Sequence, residues 1–219
     1  MEGLELSKSL VDQAYDVILG ALCDGTFKAG ERLTQEDIAA RLNVSRQPVT
    51  HALVVLKAQG FLAPSGRRGL TVTPVKPSFL KDLYQLRSAV EPLAVSLALP
   101  NISKSAIAEG RTLIKHGREM VRKGESKAIL QADMDFHSFI YELSGNPLIS
   151  ATMRLHWHHL RRAMGQVLRS SSAHLIVWNE HARILEAMID RNETAAPELM
   201  RRHLLDAYER LNKSNELAS

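Results

Sequence analysis

Glu31-Arg32-Leu33-Thr34-Gln35-Glu36-Asp37-Ile38-Ala39-Ala40-Arg41-Leu42-Asn43-Val44-Ser45-Arg46-Gln47-Pro48-Val49 holds two short helices and the tight turn between them. Thr34 occupies an N-cap position, Glu36 and Asp37 fall in the first turn, and Ile38, Ala39 and Leu42 recur at helical spacing. Asn43-Val44 makes the turn. Ser45 caps a second helix that runs to about Gln59, with Gly60 as the residue beyond its end. Pro48 is tolerated because it sits in the first turn, where N–H groups have no helical partner. Val49, Leu53 and Leu56 share one face of this helix. Gln47, Thr50 and His51 point largely the other way, with Arg46 at the exposed N-terminal end.

Working outward, residues 8–24 form a preceding helix, with Val11, Ala14, Tyr15, Ile18, Leu19 and Leu22 at helical spacing, and Phe27 to Leu33 is a short connection. On the other side come two β-prone runs, Phe61–Ala63 and Leu70–Thr73. Between them lies Pro64-Ser65-Gly66-Arg67-Arg68-Gly69, a basic hairpin loop. Helix, turn, helix and two-stranded wing make a groove-reading unit. A small helical bundle with a surface hairpin has the same spacing. In the DNA-reading case Arg46 can donate two hydrogen bonds to guanine, Gln47 can pair with adenine, and Thr50 can reach a phosphate or a thymine methyl. Thr34, Ser45 and His51 complete this face, and Arg67 and Arg68 at the wing tip reach the minor groove or the backbone.

Pro74 and Pro77 mark a linker, so the chain divides into residues 1–76 and 77–219. Beyond it the pattern is helical to the end: about 79–99, 103–123, 126–144, 147–169, 173–191 and 195–216. The expected fold is mainly α, a winged helix-turn-helix followed by a bundle of about six helices.

Composition limits the possibilities. The 219 residues carry a net charge of +4, and residues 1–76 hold nine basic against eight acidic side chains. Bulk charge therefore does not mark a DNA binder, and placement must. Cys23 is the single cysteine, so no intramolecular disulfide forms, which suits a reducing cytosol. The N-terminus lacks the basic and apolar regions of a signal peptide. The longest apolar run, around Leu93–Leu99, is far short of the roughly 20 residues that span a bilayer. A cytoplasmic protein without membrane contact is expected.

In the second half Asp133 and His137 are four residues apart and share a helix face with Leu130, Met134 and Ile140. His181 lies among Val177, Trp178, Ile184, Leu185 and Met188. His203 lies among Leu199, Met200, Leu204 and Ala207. A single histidine on such a face is more often a core residue bonded to a carbonyl, and spacing does not show that the three helices converge. As a set, three imidazoles and one carboxylate suit Zn²⁺, Ni²⁺, Mn²⁺ or Fe²⁺ rather than Ca²⁺ or Mg²⁺. In His156-Trp157-His158-His159 adjacent side chains diverge. His156 and His159 flank an inward stripe of Ile149, Thr152, Leu160 and Ala163, at least one of these histidines should be exposed, and His51, His116 and His174 read as surface residues.

The quoted stretch, continued through Ala52-Leu53, Leu56, Gly60-Phe61-Leu62 and Arg68-Gly69, closely resembles the N-terminal domain of the GntR family of bacterial regulators. It departs at Thr50-His51, where the family usually has Arg-Glu, at Gln47 for a common Thr, and at Gln35 for a common Glu. The family's arginine contacts DNA, so these changes leave the operator sequence open. Leu83-Tyr84-Gln85-Leu86-Arg87-Ser88-Ala89-Val90-Glu91, Asp133-x-x-x-His137, Tyr141-Glu142-Leu143-Ser144-Gly145-Asn146-Pro147-Leu148, Glu180-His181-x-x-Ile184-Leu185 and Arg202-His203-Leu204 resemble the FCD domain of the same regulators. Six helices are those of its shorter VanR-type variant.

The resemblance implies a DNA-binding transcriptional regulator, not an enzyme, with repression the expected sense. It implies a divalent transition metal, Zn or Ni foremost and Mn or Fe possible, on Asp133, His137, His181 and His203. A small organic acid would bind there, with Arg87, His156 and Tyr141 lining its pocket, although Arg87 reads equally well as a surface residue. A homodimer on a palindromic operator completes the expectation. The alternatives are a metal-responsive repressor and a small helical metalloenzyme. The second lacks a general base beside the ligands and any His-Glu-x-x-His or phosphate-loop motif.

Overall fold

The computed structural model describes residues 8–66, 69–167 and 171–216, without the side chains of 164–173 and 214–216. These residues fall into two compact units that meet between Val75 and Lys76.

In the first unit α1 (Leu10–Cys23) starts at Ser9, whose hydroxyl accepts from the Asp12 N–H at 3.1 Å. Ala14, Ile18, Leu19 and Leu22 are its buried face. α2 (Gln35–Leu42) starts at Thr34, which accepts from the Asp37 N–H and donates to the Asp37 carboxylate at 2.7 Å. It stops at Asn43, whose φ of 52° is the left-handed conformation that asparagine tolerates better than most residues. α3 (Arg46–Ala58) buries Pro48, Val49, Ala52, Leu53 and Leu56 against α1 and α2. Ser45 stands at the N-cap with extended backbone, but its side chain makes no capping hydrogen bond, contrary to the capping role expected of it.

The wing is β2 (Leu62–Ser65) and β3 (Gly69–Val72), paired antiparallel from Leu62↔Val72 to Ser65↔Gly69. The expected connection before α2 contains a strand, β1 (Arg32–Leu33), which pairs with β3 to give the order β1-β3-β2. Two residues are too short for an alternation signal, so only the pairing with Leu70 and Thr71 reveals the strand. Gly69 is required where the three strands pinch: a Cβ there would lie 2.6 Å from Arg32 Nε and 2.8 Å from the Ser65 carbonyl oxygen.

The second unit is built from α4 (Pro77–Ala98), a 3₁₀ turn (Leu99–Asn101), α5 (Lys104–Lys123), α6 (Ser126–Leu143), α7 (Pro147–Val167), α8 (Ser171–Ile189) and α9 (Ala195–Glu216). α4 packs on α6, α7 and α9, while α5 packs on α6 and α8. Their shared core is Phe136, Ile140, Met153, Trp157, Trp178, Ile184, Leu185, Met188, Met200 and Leu204. Each such side chain contributes roughly 1.5–3 kcal/mol by leaving water. Pro92 lies inside α4 and cannot donate to the Ser88 carbonyl four residues back. Arg201 of α9 donates to that carbonyl instead, at 3.2 Å, so a proline that would otherwise weaken α4 helps dock it on α9.

Candidate metal centre and DNA-reading face

Three fully buried or nearly fully buried histidines, His137 of α6, His181 of α8 and His203 of α9, each offer a ring nitrogen, and these atoms lie within 4.8 Å of one another. The His181 and His203 Nε2 atoms are 3.3 Å apart, and Asp133 Oδ1 stands 3.4 Å from His181 Nε2. Phe136 stacks on the His181 ring at 4.4 Å, and Trp178 meets it edge-on at 4.9 Å. The helical spacing of 133 and 137 puts both on the inner face of α6, and packing brings α8 and α9 against it.

Carboxylates behind the rings decide which nitrogen faces the cluster. His137 Nδ1 pairs with Glu91 Oε2 of α4 at 2.6 Å, which makes Nδ1 the donor and Nε2 the nitrogen turned to the cluster. That Nε2 is buried with no hydrogen-bond partner. His203 Nδ1 pairs in the same way with Glu180 Oε2 at 2.7 Å, and Arg210 grips Glu180 with both Nη atoms, at 2.8 and 2.9 Å. Burial, reinforced by the neighbouring His203 and His137, pushes the His181 imidazole well below its ordinary titration range. Burial also lowers His203, against the opposing pull of Glu180. Neutral imidazoles are what a metal requires.

Beside the cluster lies a second group. Glu91 is fully buried, and Arg87 Nε donates to its Oε1 at 2.5 Å. Burial by itself would raise the Glu91 carboxyl; Arg87 and His137 more than offset it and hold the group well below the usual carboxylate range. Burial likewise works against the Arg87 charge, and Glu91 restores it. The Arg87 guanidinium sits between Trp157, 4.6 Å from its ring centre, and Tyr84, at 5.1 Å, with Nη2 buried and unpartnered. Tyr141 faces Glu91 as well: burial first, then this carboxylate, raises its hydroxyl well above the ordinary value, while Trp157 Nε1 donates to it at 3.3 Å.

In the first unit Arg46 is exposed at the start of α3, and its Nη1 pairs with Glu36 at 2.8 Å. Such an exposed pair is weak, so the guanidinium can leave Glu36 for another partner. Thr50 Oγ1 lies 2.7 Å from Gln35 Oε1 and 2.9 Å from the Arg46 carbonyl. Two of the positions at which the sequence departs from the family pattern, Gln35 and Thr50, therefore touch each other.

Residues 82–206 match the FCD domain, and residues 10–72 match the bacterial regulatory proteins of the gntR family. The chain belongs to the GntR family. It is a DNA-binding transcriptional regulator of that family, with an FCD domain, and is not an enzyme. The Nta operon transcriptional regulator of Aminobacter aminovorans is 29% identical to this GntR regulator over 187 residues, 84% of this chain and 86% of the relative. A probable D-xylose utilization operon transcriptional repressor of Paenarthrobacter nicotinovorans is 26% identical, covering 87% and 82%. Escherichia coli McbR/YncC shares the fold, with a TM-score of 0.84 over 95% of this chain and all of that one, at 21% identity.

Several expectations for this GntR regulator change. Arg87 is not on the surface but inside the second unit. On α7 the inward face is Ile149, Met153, Trp157 and Leu160, and Thr152 is exposed. It is therefore Trp157 that meets Arg87 and His137, while His156 is half-buried one position away. None of His156, His158 and His159 is exposed. His174, read as a surface residue, is buried with its Nε2 unpartnered, whereas His51 and His116 are exposed. Arg67 and Arg68 lie outside the described residues.

Glu91, Trp157, Glu180 and Arg210 escaped the sequence reading. For Glu91 a signal existed: it is four residues after Arg87, so the pair shares a helix face. Glu180 sits next to His181, but its link to Arg210 spans 30 residues and leaves no local trace. Among the described residues no helix is long and apolar enough to cross a membrane.

Proposed function

We propose that this regulator senses a small carboxylate at a divalent transition metal held by Asp133, His137, His181 and His203, and that occupancy changes its grip on DNA. One observation carries the reading: three buried imidazoles from three helices converge, and two of them present a nitrogen fixed by a carboxylate behind the ring. That is the arrangement of a metal ligand with its outer partner. The unpartnered His137 Nε2 fits an ion, and the N,N,N,O donor set suits Zn²⁺ or Ni²⁺, and also Mn²⁺ or Fe²⁺. When bound, such an ion supplies a Lewis-acidic position for a carboxylate oxygen. Arg87 Nη2, buried and without a partner, supplies a charged donor for an organic acid, and Tyr141 and Trp157 border the same space.

In this reading residues 1–76 bind DNA and residues 77–219 sense and dimerise. Two heads of a cytoplasmic homodimer read a palindrome, with repression as the sense, as in the name of the D-xylose relative. Arg46, Gln47, Thr50 and His51 face the bases, Thr34, Ser45 and the start of α3 meet phosphate, and Arg67 and Arg68 act at the wing.

Two measurements test this reading. Elemental analysis of gently purified protein is expected to give about one transition metal per chain, and essentially none when His181→Ala and His203→Ala are combined. Wild type that carries no metal and takes none up on titration refutes the sensor. On a duplex selected by the wild type from random DNA, Arg46→Ala is expected to weaken binding roughly 10- to 100-fold, the cost of one bidentate base contact. Its metal content should not change. Unaltered anisotropy titrations would remove Arg46 from the reading face.

A further inference from the structure

The metal reading above uses Glu91 only as the carboxylate behind His137 and gives its other partner, Arg87, no link to the ion. Glu91 is fully buried on α4, and each of its oxygens takes a different partner: Oε1 the Arg87 Nε at 2.5 Å, Oε2 the His137 Nδ1 at 2.6 Å. The outer atoms of those two partners, Arg87 Nη2 and His137 Nε2, are buried and have no hydrogen-bond partner. A group that served packing alone would be expected to satisfy both atoms, because each buried unsatisfied polar atom carries a cost. Both residues also lie against one ring, that of Trp157, with the Arg87 carbon 4.6 Å from its centre and the His137 ring 5.2 Å away.

Resting on the proposed metal centre, we propose that Glu91 is its positioning residue. Glu91 holds His137 as the Nδ1–H tautomer, aims Nε2 at the ion, and joins this ligand to the arginine that receives the carboxylate. Three consequences follow from charge. An anionic acceptor on Nδ1 makes Nε2 a stronger donor to the metal. Arg87 pairs with the other oxygen of Glu91 and so draws on its charge. A carboxylate ligand that pairs with Arg87 Nη2 relieves that draw, so Glu91 gives more to His137. Ligand and metal therefore strengthen each other's binding, and the coupling is reciprocal.

The test uses the full chain and Zn²⁺ alone, with affinity measured by competition against a chelator. Glu91→Gln keeps the shape and a hydrogen-bond acceptor while removing the charge. It is expected to lower Zn²⁺ affinity 10- to 100-fold, with the circular dichroism of the metal-free protein unchanged. Equal affinity in folded Glu91→Gln and wild type overturns the proposal and leaves the metal site standing. The second measurement needs no variant: imidazole ¹⁵N spectra of zinc-loaded wild type should show His137 protonated at Nδ1 and bound through Nε2. Binding through Nδ1 overturns the proposal even if the variant fails to fold. Wild type that binds no Zn²⁺ overturns it together with the metal reading, a result distinct from either of the others.

Discussion

Gly117→Ala is expected to cost the second unit about 3 kcal/mol and to lower its melting temperature by about 10 °C. Gly117 is buried in α5, where that helix crosses α8, and a Cβ there would lie 2.0 Å from the Trp178 ring. The ring cannot swing aside. It is fully buried, packs edge-on against Phe136, and stands at 89° to the His181 imidazole, 4.9 Å away. Relief requires α5 and α8 to separate or Trp178 to move into His181. The second route displaces a metal ligand, so Zn²⁺ affinity should fall along with stability. Gly20→Ala is the control. Gly20 lies in α1, and nothing approaches within 4 Å of the position its Cβ would take. There the ordinary helix preference of alanine applies, and a gain of about 0.5–1 kcal/mol is expected. Two identical substitutions thus carry opposite signs, decided by one neighbouring ring. A Gly117→Ala protein that melts at or above wild type would show that α5 and α8 approach less closely.

The second large effect is acid sensitivity of the metal-free second unit. The folded protein holds His181 well below, and His203 below, the ordinary histidine value of 6.5. Both are therefore neutral in the folded state near neutrality, whereas the unfolded chain binds protons there once the pH falls below about 6.5. The unfolded state binds more protons, so stability is full above that pH and declines as pH falls from it toward the depressed folded values. The slope is about 1.4 kcal/mol per pH unit for each excess proton. Glu91 and Glu180, held below their usual value, add a further loss in the same direction below about pH 4.5. Thermal melts of chelator-treated protein should therefore fall steadily between pH 7 and pH 5. A melting temperature that is flat or rises over that interval contradicts neutral burial of the two imidazoles. Metal loading should steepen the dependence, because protons then compete directly for the ligand nitrogens.

The DNA-binding half was largely readable because its signals are local. Thr34 with Asp37, Asn43 in the turn and the Val49/Leu53/Leu56 face all act within a few residues, and periodicity reports such interactions. The strand β1 was not readable, since two residues carry no period and its partner lies in β3. In the second unit the six helices were evident from apolar spacing and from their Gly, Asn and Ser boundaries. Faces were less secure. Thr152 and Met153 are neighbours on α7, and a rotation of one residue moved Trp157 inside and left His156 half-buried. His174 was misplaced because a histidine followed by Leu175 and Ile176 has no polar face to mark it, and those two apolar neighbours are the exposed ones.

The sequence by itself determined which side chains are available: three histidines and an aspartate on apolar faces, an arginine at the head of α3, and the family to which they belong. Those properties reside in single helices and in motifs of adjacent residues. Only the tertiary structure decided that His137, His181 and His203 converge within 4.8 Å, and that Glu91 and Glu180 stand behind two of them. It alone decided that Arg87 faces inward, beside Trp157. The reason is physical: helix period specifies which way a residue points around its own axis, while the meeting of α4, α6, α8 and α9 depends on how close the helices approach. That approach is set by contacts such as Gly117 against Trp178 and Arg201 on the Ser88 carbonyl, which join positions 61 and 113 residues apart.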